Sequence, residues 1–295
     1  MRHPLLLSAL FVLFAASFVA FLFGSLIFIS SRGGLSLFPF GSVAVVRIEG
    51  AIYDSREILE ELEDHRKNDS VRGVVLRIDS PGGAVAPSQE IFAEVKKLRE
   101  KKKVVASMGT VAASGGYYIA AACEKIFASP GTVTGSIGVI MESFDLEELM
   151  RWAKLDNRVI KSGGYKDIGN PFREMTPEER KYLQNLIDDM YGQFKEAVGK
   201  QRGISEARME ELAQGKIYTG EQAKEVGLVD EMGTVYDAVA AAKKMAGLSP
   251  GAHVIWPRDA KFPFNFFTGG SGSFETSLKR YFHAFDFPVW LYRLR

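Results

Sequence analysis

The chain has 295 residues, 46% of them hydrophobic and 25% charged, with 37 Lys and Arg against 36 Asp and Glu. That length supports one large or two small domains with a proper core. A net charge of +1 gives no basic field for nucleic acid. The single cysteine, Cys123, excludes both a disulfide framework and a cysteine-rich zinc site.

The first predicted element is a run of 28 uncharged positions from Pro4 to Ser31, rich in Leu, Phe, Ala and Val. About 20 apolar residues cross a bilayer, whereas a secretory signal has an apolar region of about 7–15 and a small-residue cleavage site. No Ala-x-Ala boundary closes the run, so residues 1–32 read as an uncleaved membrane anchor, ahead of a cleaved signal or a buried helix. Arg2 and His3 on one side and Arg32 on the other give a weak charge bias. The expected orientation places the bulk of the chain on the extracytoplasmic side, which suits its cysteine-poor composition. Residues 33–42, rich in Gly, Ser, Phe and Pro, form a linker.

Apolar β-branched runs then predict strands at Val43–Ile48, Val74–Ile78, Lys103–Ser107, Lys125–Ala128, Ile137–Met141 and Arg158–Lys161. Helical patterns at Ser55–Lys67 and Ser88–Lys101 fall between the first three, which argues for parallel pairing in an α/β domain. After Asn170 helices take over. Thr176-Pro177-Glu178-Glu179 is a capping box ahead of a long helix, and Ser205–Ala213, Thr219–Gly227 and Thr234–Ala246 predict three more. Residues 251–295 differ in character. Eleven of the 34 aromatics lie between 262 and 292, a composition that suits a membrane interface and a neighbouring subunit equally.

Two glycine-rich segments follow predicted strands. Asp79-Ser80-Pro81-Gly82-Gly83 can bring backbone N–H groups close to an oxyanion or phosphate. It also fits an ordinary strand-to-helix turn, and no nucleotide-binding glycine pattern is present. Ala112-Ala113-Ser114-Gly115-Gly116 places a hydroxyl at a strand-to-helix transition. This is a nucleophile elbow with Ala112 in place of the first glycine, or a plain helix cap. A serine nucleophile needs a base, and the histidines are poorly placed. His3 and His283 lie near the termini, His65 in a charged helical run, and His253 outside the α/β part. A lysine base must lose about 3 units from a pKa near 10.4, through burial or a like charge. Lys161 and Lys166, in Lys161-Ser162-Gly163-Gly164-Tyr165-Lys166-Asp167, are the candidates. No S-x-x-K occurs, which excludes the penicillin-binding reading of Lys161-Ser162-Gly163.

These segments, with Thr134-Gly135-Ser136-Ile137-Gly138, Pro171-Phe172-Arg173-Glu174-Met175-Thr176 and Tyr218-Thr219-Gly220 through Asp230, resemble the signal peptide peptidase A family, peptidase family S49. The likeness runs collinearly over about residues 43–245. It implies a short, single-repeat serine endopeptidase in which Ser114 is the nucleophile and Lys166 the general base. Ser136 would position the lysine, and Gly83 and Gly115 would supply the oxyanion-hole N–H groups. It further implies a ClpP/crotonase-like α/β fold of stacked β-β-α units over residues 43–250, and no metal or cofactor. The expected assembly is a homo-oligomeric ring, commonly an octamer, in which Ser114 meets Lys166 of a neighbour. Remnant signal peptides at the bilayer are the implied substrates, with misfolded membrane-proximal polypeptides as a broader class. The rivals are a membrane protease for one specific partner, a crotonase-type acyl-CoA enzyme, and a non-catalytic scaffold.

Overall fold

The computed structural model describes residues 41–257 and 291–293, together with 14, 17–19 and 21. The chain divides into two units, Met1–Phe40 and Gly41–Arg295. In the first, the described residues are helical, with Phe14, Phe18 and Phe21 exposed. The rest of the expected anchor lies outside the described residues, and among those described no helix is long and apolar enough to cross a membrane.

The second unit is a mixed α/β domain on a parallel-rich sheet. β1 (Ser42–Glu49), β2 (Val71–Ser80) and β4 (Lys103–Ala113) lie side by side in parallel, with Val45 opposite Val75 and Val75 opposite Val105. β5 (Lys125–Ala128) pairs with the first half of β4 and β6 (Val133–Gly135) with its last residues, both in parallel. β7 (Ile217–Thr219) runs antiparallel to β6, and β8 (Glu231–Met232) pairs with β5. Near-continuous apolar runs are what a parallel sheet covered on both faces requires, and strand alternation sorts them. Val43, Val45, Val75, Val105 and Phe127 face α8 (Val235–Met245). Ala44, Val46, Leu76, Val104 and Ala106 face the larger cluster on the other side.

That larger cluster is covered by α1 (Arg56–Lys67), α2 (Val85–Arg99), α3 (Gly115–Ala121) and the long α5 (Pro177–Arg202). A short helix, α4 (Glu147–Trp152), lies before α5. After it come α6 (Glu206–Leu212) and α7 (Gly220–Glu225). Tyr118 of α3 sits between Phe92 of α2 and the fully buried Phe194 of α5, with ring centroids 4.6 and 4.9 Å away. The Tyr117 hydroxyl donates to the Leu228 carbonyl at 2.9 Å. The short helix that follows Ser114 is therefore held from two directions.

Two predicted strands do not form. Ile137–Met141 departs from the sheet because Ser136 takes φ of 52°. The chain there bonds instead to the loop before β7, through Ser136 N–H to the Lys216 carbonyl and Gly215 N–H to the Ile137 carbonyl. Among the described residues Arg158–Lys161 has no neighbouring strand, and its Ile160 is fully exposed. His253 is not outside the sheet as expected. Its carbonyl accepts from Val43 N–H at 3.1 Å, and β9 (Val254–Ile255) extends the sheet beside β1. Finally, β10 (Leu291–Arg293) lies antiparallel to β3 (Gly82–Ala84), with Tyr292 opposite Gly83.

Candidate active site

The C-terminal ends of β2, β4 and β6 lie together, since Ser80 is registered with Ala112 and Ala113 with Gly135. Neighbouring strands are about 4.8 Å apart, so Ser114 and Ser136, each one residue beyond its strand, emerge next to each other. Ser114 N–H donates to the Gly135 carbonyl at 2.8 Å, and the Thr134 hydroxyl to the Ala112 carbonyl at 2.6 Å. Ser114 has φ 53° and ψ −119°, a conformation that costs a non-glycine residue on the order of 1–3 kcal/mol. A strained strand-to-helix turn of this kind can present a hydroxyl at the end of a sheet. Its side chain is 1% exposed, and among the described residues Oγ has no hydrogen-bond partner. A buried hydroxyl left unpaired costs about 1–3 kcal/mol, so this position is held for something other than stability.

Small residues around the serine are demanded by close approach. A Cβ on Gly116 would come within 2.9 Å of the Ser80 carbonyl oxygen, and on Gly83 within 2.1 Å of that of Ile52. Gly83 sits in β3 beside Ile52. Ile52 N–H donates to the Gly82 carbonyl at 2.9 Å and Ala84 N–H to the Ile52 carbonyl at 2.7 Å. Successive residues of a strand point their N–H groups to opposite edges. The Gly83 N–H is therefore directed away from Ile52, along the edge where Tyr292 is registered. Gly115 opens α3 and is buried.

Lys166 is not brought to this cluster within one chain. It lies exposed in the turn at 162–169, on the long connection between α4 and α5. Among the described residues its ammonium meets no hydrogen-bonding or ionic partner. Lys161 differs: its Nζ donates to Asp167 Oδ1 at 2.6 Å and to the Gly164 carbonyl at 2.8 Å. The stretch that leads to both lysines carries exposed apolar side chains: Phe144, Leu149, Trp152, Leu155, Ile160 and Tyr165 are each more than half exposed. Exposed apolar side chains that gather in one patch mark an interaction surface. Cys123 is no rival nucleophile, because burial pushes its thiol up to about 12.

Sequence reasoning gave no role to the ionic cluster behind Lys166. Arg173 donates to Asp167 Oδ2 from Nε at 2.9 Å and to Oδ1 from Nη2 at 3.0 Å. It also donates to Glu179 Oε2 from Nη1 at 2.8 Å. Arg173 and then Lys161 hold the Asp167 carboxyl far below the usual range. Arg173 likewise holds Glu179 at about 2. A carboxylate with a lowered folded pKa stabilises fully above its unfolded value, and that contribution is lost as pH falls through the folded one. The loop is thus expected to stay clamped above pH 4.5 and to loosen as pH falls towards about 2. Amide exchange of residues 161–174, corrected for its intrinsic pH dependence, checks this. Unchanged protection at pH 2.5 contradicts it. Glu179 was legible only as a capping residue, and Ile52, which fixes Gly83, carried no sequence signal at all.

Known proteins extend this geometry. The family description Peptidase family S49 matches residues 96–249, and Clp protease matches residues 44–134. A candidate protease of Synechocystis sp. is 42% identical over 268 residues, which is 85% of this chain and 96% of that protein. A candidate signal peptide peptidase SppA of Enterococcus faecium is 36% identical over 208 residues, 70% of this chain and 60% of that protein. The chloroplastic serine protease SPPA of Arabidopsis thaliana is 36% identical over 200 residues, 68% of this chain and 30% of that protein. A mixed α/β domain like that of Clp protease and relatives named as proteases define a serine-type peptidase. The chain belongs to peptidase family S49.

Proposed function

We propose that this chain is a membrane-anchored serine endopeptidase with Ser114 as nucleophile and Lys166 as general base. The observation that carries the reading is the buried Ser114 hydroxyl, strained at a strand-to-helix turn and without a hydrogen-bond partner among the described residues. Neutral Lys166 takes the hydroxyl proton as Ser114 Oγ attacks the peptide carbonyl. The Gly83 N–H, with that of Gly115, stabilises the oxyanion. The lysine then gives its proton to the leaving amine, and the acyl-enzyme remains. Water adds to this ester and its proton passes to Lys166; as the C–O bond to Ser114 breaks, Lys166 returns that proton to Oγ and the acyl group leaves as the carboxylic acid product. Ser136, beside Ser114, orients the amine. The antiparallel pairing of 291–293 on β3 supports this edge as a place where extended peptide backbone docks.

The lysine comes from a neighbouring subunit in this reading. Its exposure, the exposed apolar side chains between 144 and 165, and the lack of a strand partner for Arg158–Lys161 among the described residues all support an interface there. Docking would bury the amine, the condition under which a lysine loses its proton near neutrality. A closed ring, the octamer implied by the family likeness, gives every serine such a neighbour. The fold is then one of stacked β-β-α units, with residues 1–32 as the anchor and the peptidase on the extracytoplasmic side. Remnant signal peptides are the substrate class, a reading supported by the signal peptide peptidase in the name of the Enterococcus relative.

The test uses the full chain in anionic vesicles, supplied with a membrane-inserted apolar peptide of about 20 residues or a soluble unfolded protein. Lys166→Ala is expected to abolish cleavage of both. Lys161→Ala should retain at least about a third of wild-type activity, because Arg173 still holds Asp167. The inserted peptide should be cleaved faster than the soluble one. Loss in Lys161→Ala with survival in Lys166→Ala reverses the assignment of the base.

A further inference from the structure

The geometry points to Arg173 as the positioning residue of the base loop: it ties Asp167, the residue next to Lys166, to the N-terminus of α5. This rests on Lys166 being the base. The connection from 153 to 176 has no regular secondary structure, and loops of that length are ordinarily mobile unless functional contacts hold them. Within it the turn bearing Lys166 has its own weak bonds, Lys166 N–H to the Gly163 carbonyl and Ile168 N–H to the Tyr165 carbonyl, both 3.2 Å. Neither fixes the turn to the body of the protein.

Arg173 does so through a planar fork engaged on both sides. Beyond the two bonds to Asp167 carboxylate oxygens, Nη2 reaches the Asp167 carbonyl at 3.3 Å and Nη1 the Glu174 carbonyl at 3.0 Å. On the far side it meets both oxygens of Glu179, the nearer at 2.5 Å. Glu179 is anchored in turn, accepting from Thr176 N–H at 3.0 Å in the capping box of α5. The two carboxylate side chains are only 11% and 6% exposed, so the bonds are shielded from water. Two cations, Arg173 and Lys161, balance two anions, Asp167 and Glu179. The cluster therefore offers Lys166 no carboxylate of its own to pair with and leaves the ammonium exposed. Arg suits this place and Lys does not, because only the guanidinium holds two carboxylates in one plane.

The full chain, purified as the assembled oligomer in detergent, is assayed with the apolar peptide. Arg173→Ala should lower kcat by about 30- to 100-fold, the effect of displacing a reacting group by roughly an ångström. KM should stay within about twofold. Arg173→Lys should recover only a small part, and added methylguanidinium should restore activity to Arg173→Ala. Where Arg173→Ala fails to assemble, Asp167→Asn, which spares the Arg173–Glu179 bonds and the helix cap, is expected to give the same fall in kcat. A kcat within threefold of wild type in the assembled variants overturns the assignment, as does a loss that merely follows the fraction assembled. Lys166→Ala run beside them separates the two levels. If it is silent while the Arg173 and Asp167 variants are normal, the clamp alone falls. If it is active, the base assignment falls and the clamp with it.

Discussion

Mixing Ser114→Ala chains with Lys166→Ala chains, each inactive alone, is expected to restore about a quarter of wild-type activity when equal amounts are unfolded and reassembled together. Each single variant should lose on the order of 10⁴- to 10⁶-fold in kcat, since nucleophile and base act as a unit. The quarter follows from random assembly in a closed, head-to-tail ring. A site needs an intact serine from one chain and an intact lysine from the next, each present half the time. If both groups came from one chain, no mixed site would contain both, and the mixture would stay silent. The basis is the contrast within one chain between a Ser114 that is 1% exposed and a Lys166 on an exposed loop. The measurement is peptide hydrolysis per mole of oligomer, with the mixing ratio varied. Activity should peak at equal amounts and vanish at either end.

Gly83→Ala should give the second large effect, a loss of about 10²- to 10³-fold in kcat, or about 2.7–4 kcal/mol of transition-state stabilisation. A methyl group there would lie 2.1 Å from the Ile52 carbonyl oxygen and 2.5 Å from its nitrogen. Both atoms are backbone, held by the bonds from Ile52 N–H to Gly82 and from Ala84 N–H to Ile52, so β3 has to move. The N–H proposed to meet the oxyanion moves with it. Because α2 begins at Val85, directly after β3, the displacement should also lower thermal stability by a few degrees. Steady-state kinetics on the assembled enzyme together with a melting curve separate the two effects. A variant with lowered Tm and wild-type kcat would remove Gly83 from the catalytic machinery.

Much of the scaffold was legible in the residues, for reasons visible element by element. Val43–Ile48, Val74–Ile78, Lys103–Ser107 and Lys125–Ala128 became strands because their β-branched runs are buried on both faces of a parallel sheet. The Thr176–Glu179 signal became the capping box of α5 because it is satisfied within four residues. The failures were of the opposite kind. Ile137–Met141 has a strand's composition, yet the positive φ of Ser136 and the bonds from the loop at 215–216 turn it away from the sheet. Arg158–Lys161 has β-branched residues but, among the described residues, no strand beside it. His253 precedes an edge strand that only the fold places beside Val43. A local pattern says what a segment can form, and a distant partner decides whether it does.

By itself the sequence determined an α/β chain with glycine-rich turns after its second and third long strands, a serine at one turn, two candidate lysines and no suitably placed histidine. Its motifs carried the likeness to peptidase family S49. These are short-range properties, set by spacing, backbone freedom and side-chain chemistry over a few residues. Only the tertiary structure decided that Ser114 is buried, strained and, among the described residues, without a hydrogen-bond partner, while Lys166 stands exposed on a separate loop. It alone joined Asp167, Arg173 and Glu179 and set Gly83 against Ile52. Burial and ion pairing depend on which residues meet across the sheet and the long connection, and that is fixed by the packing of the whole domain rather than by any local stretch of chain.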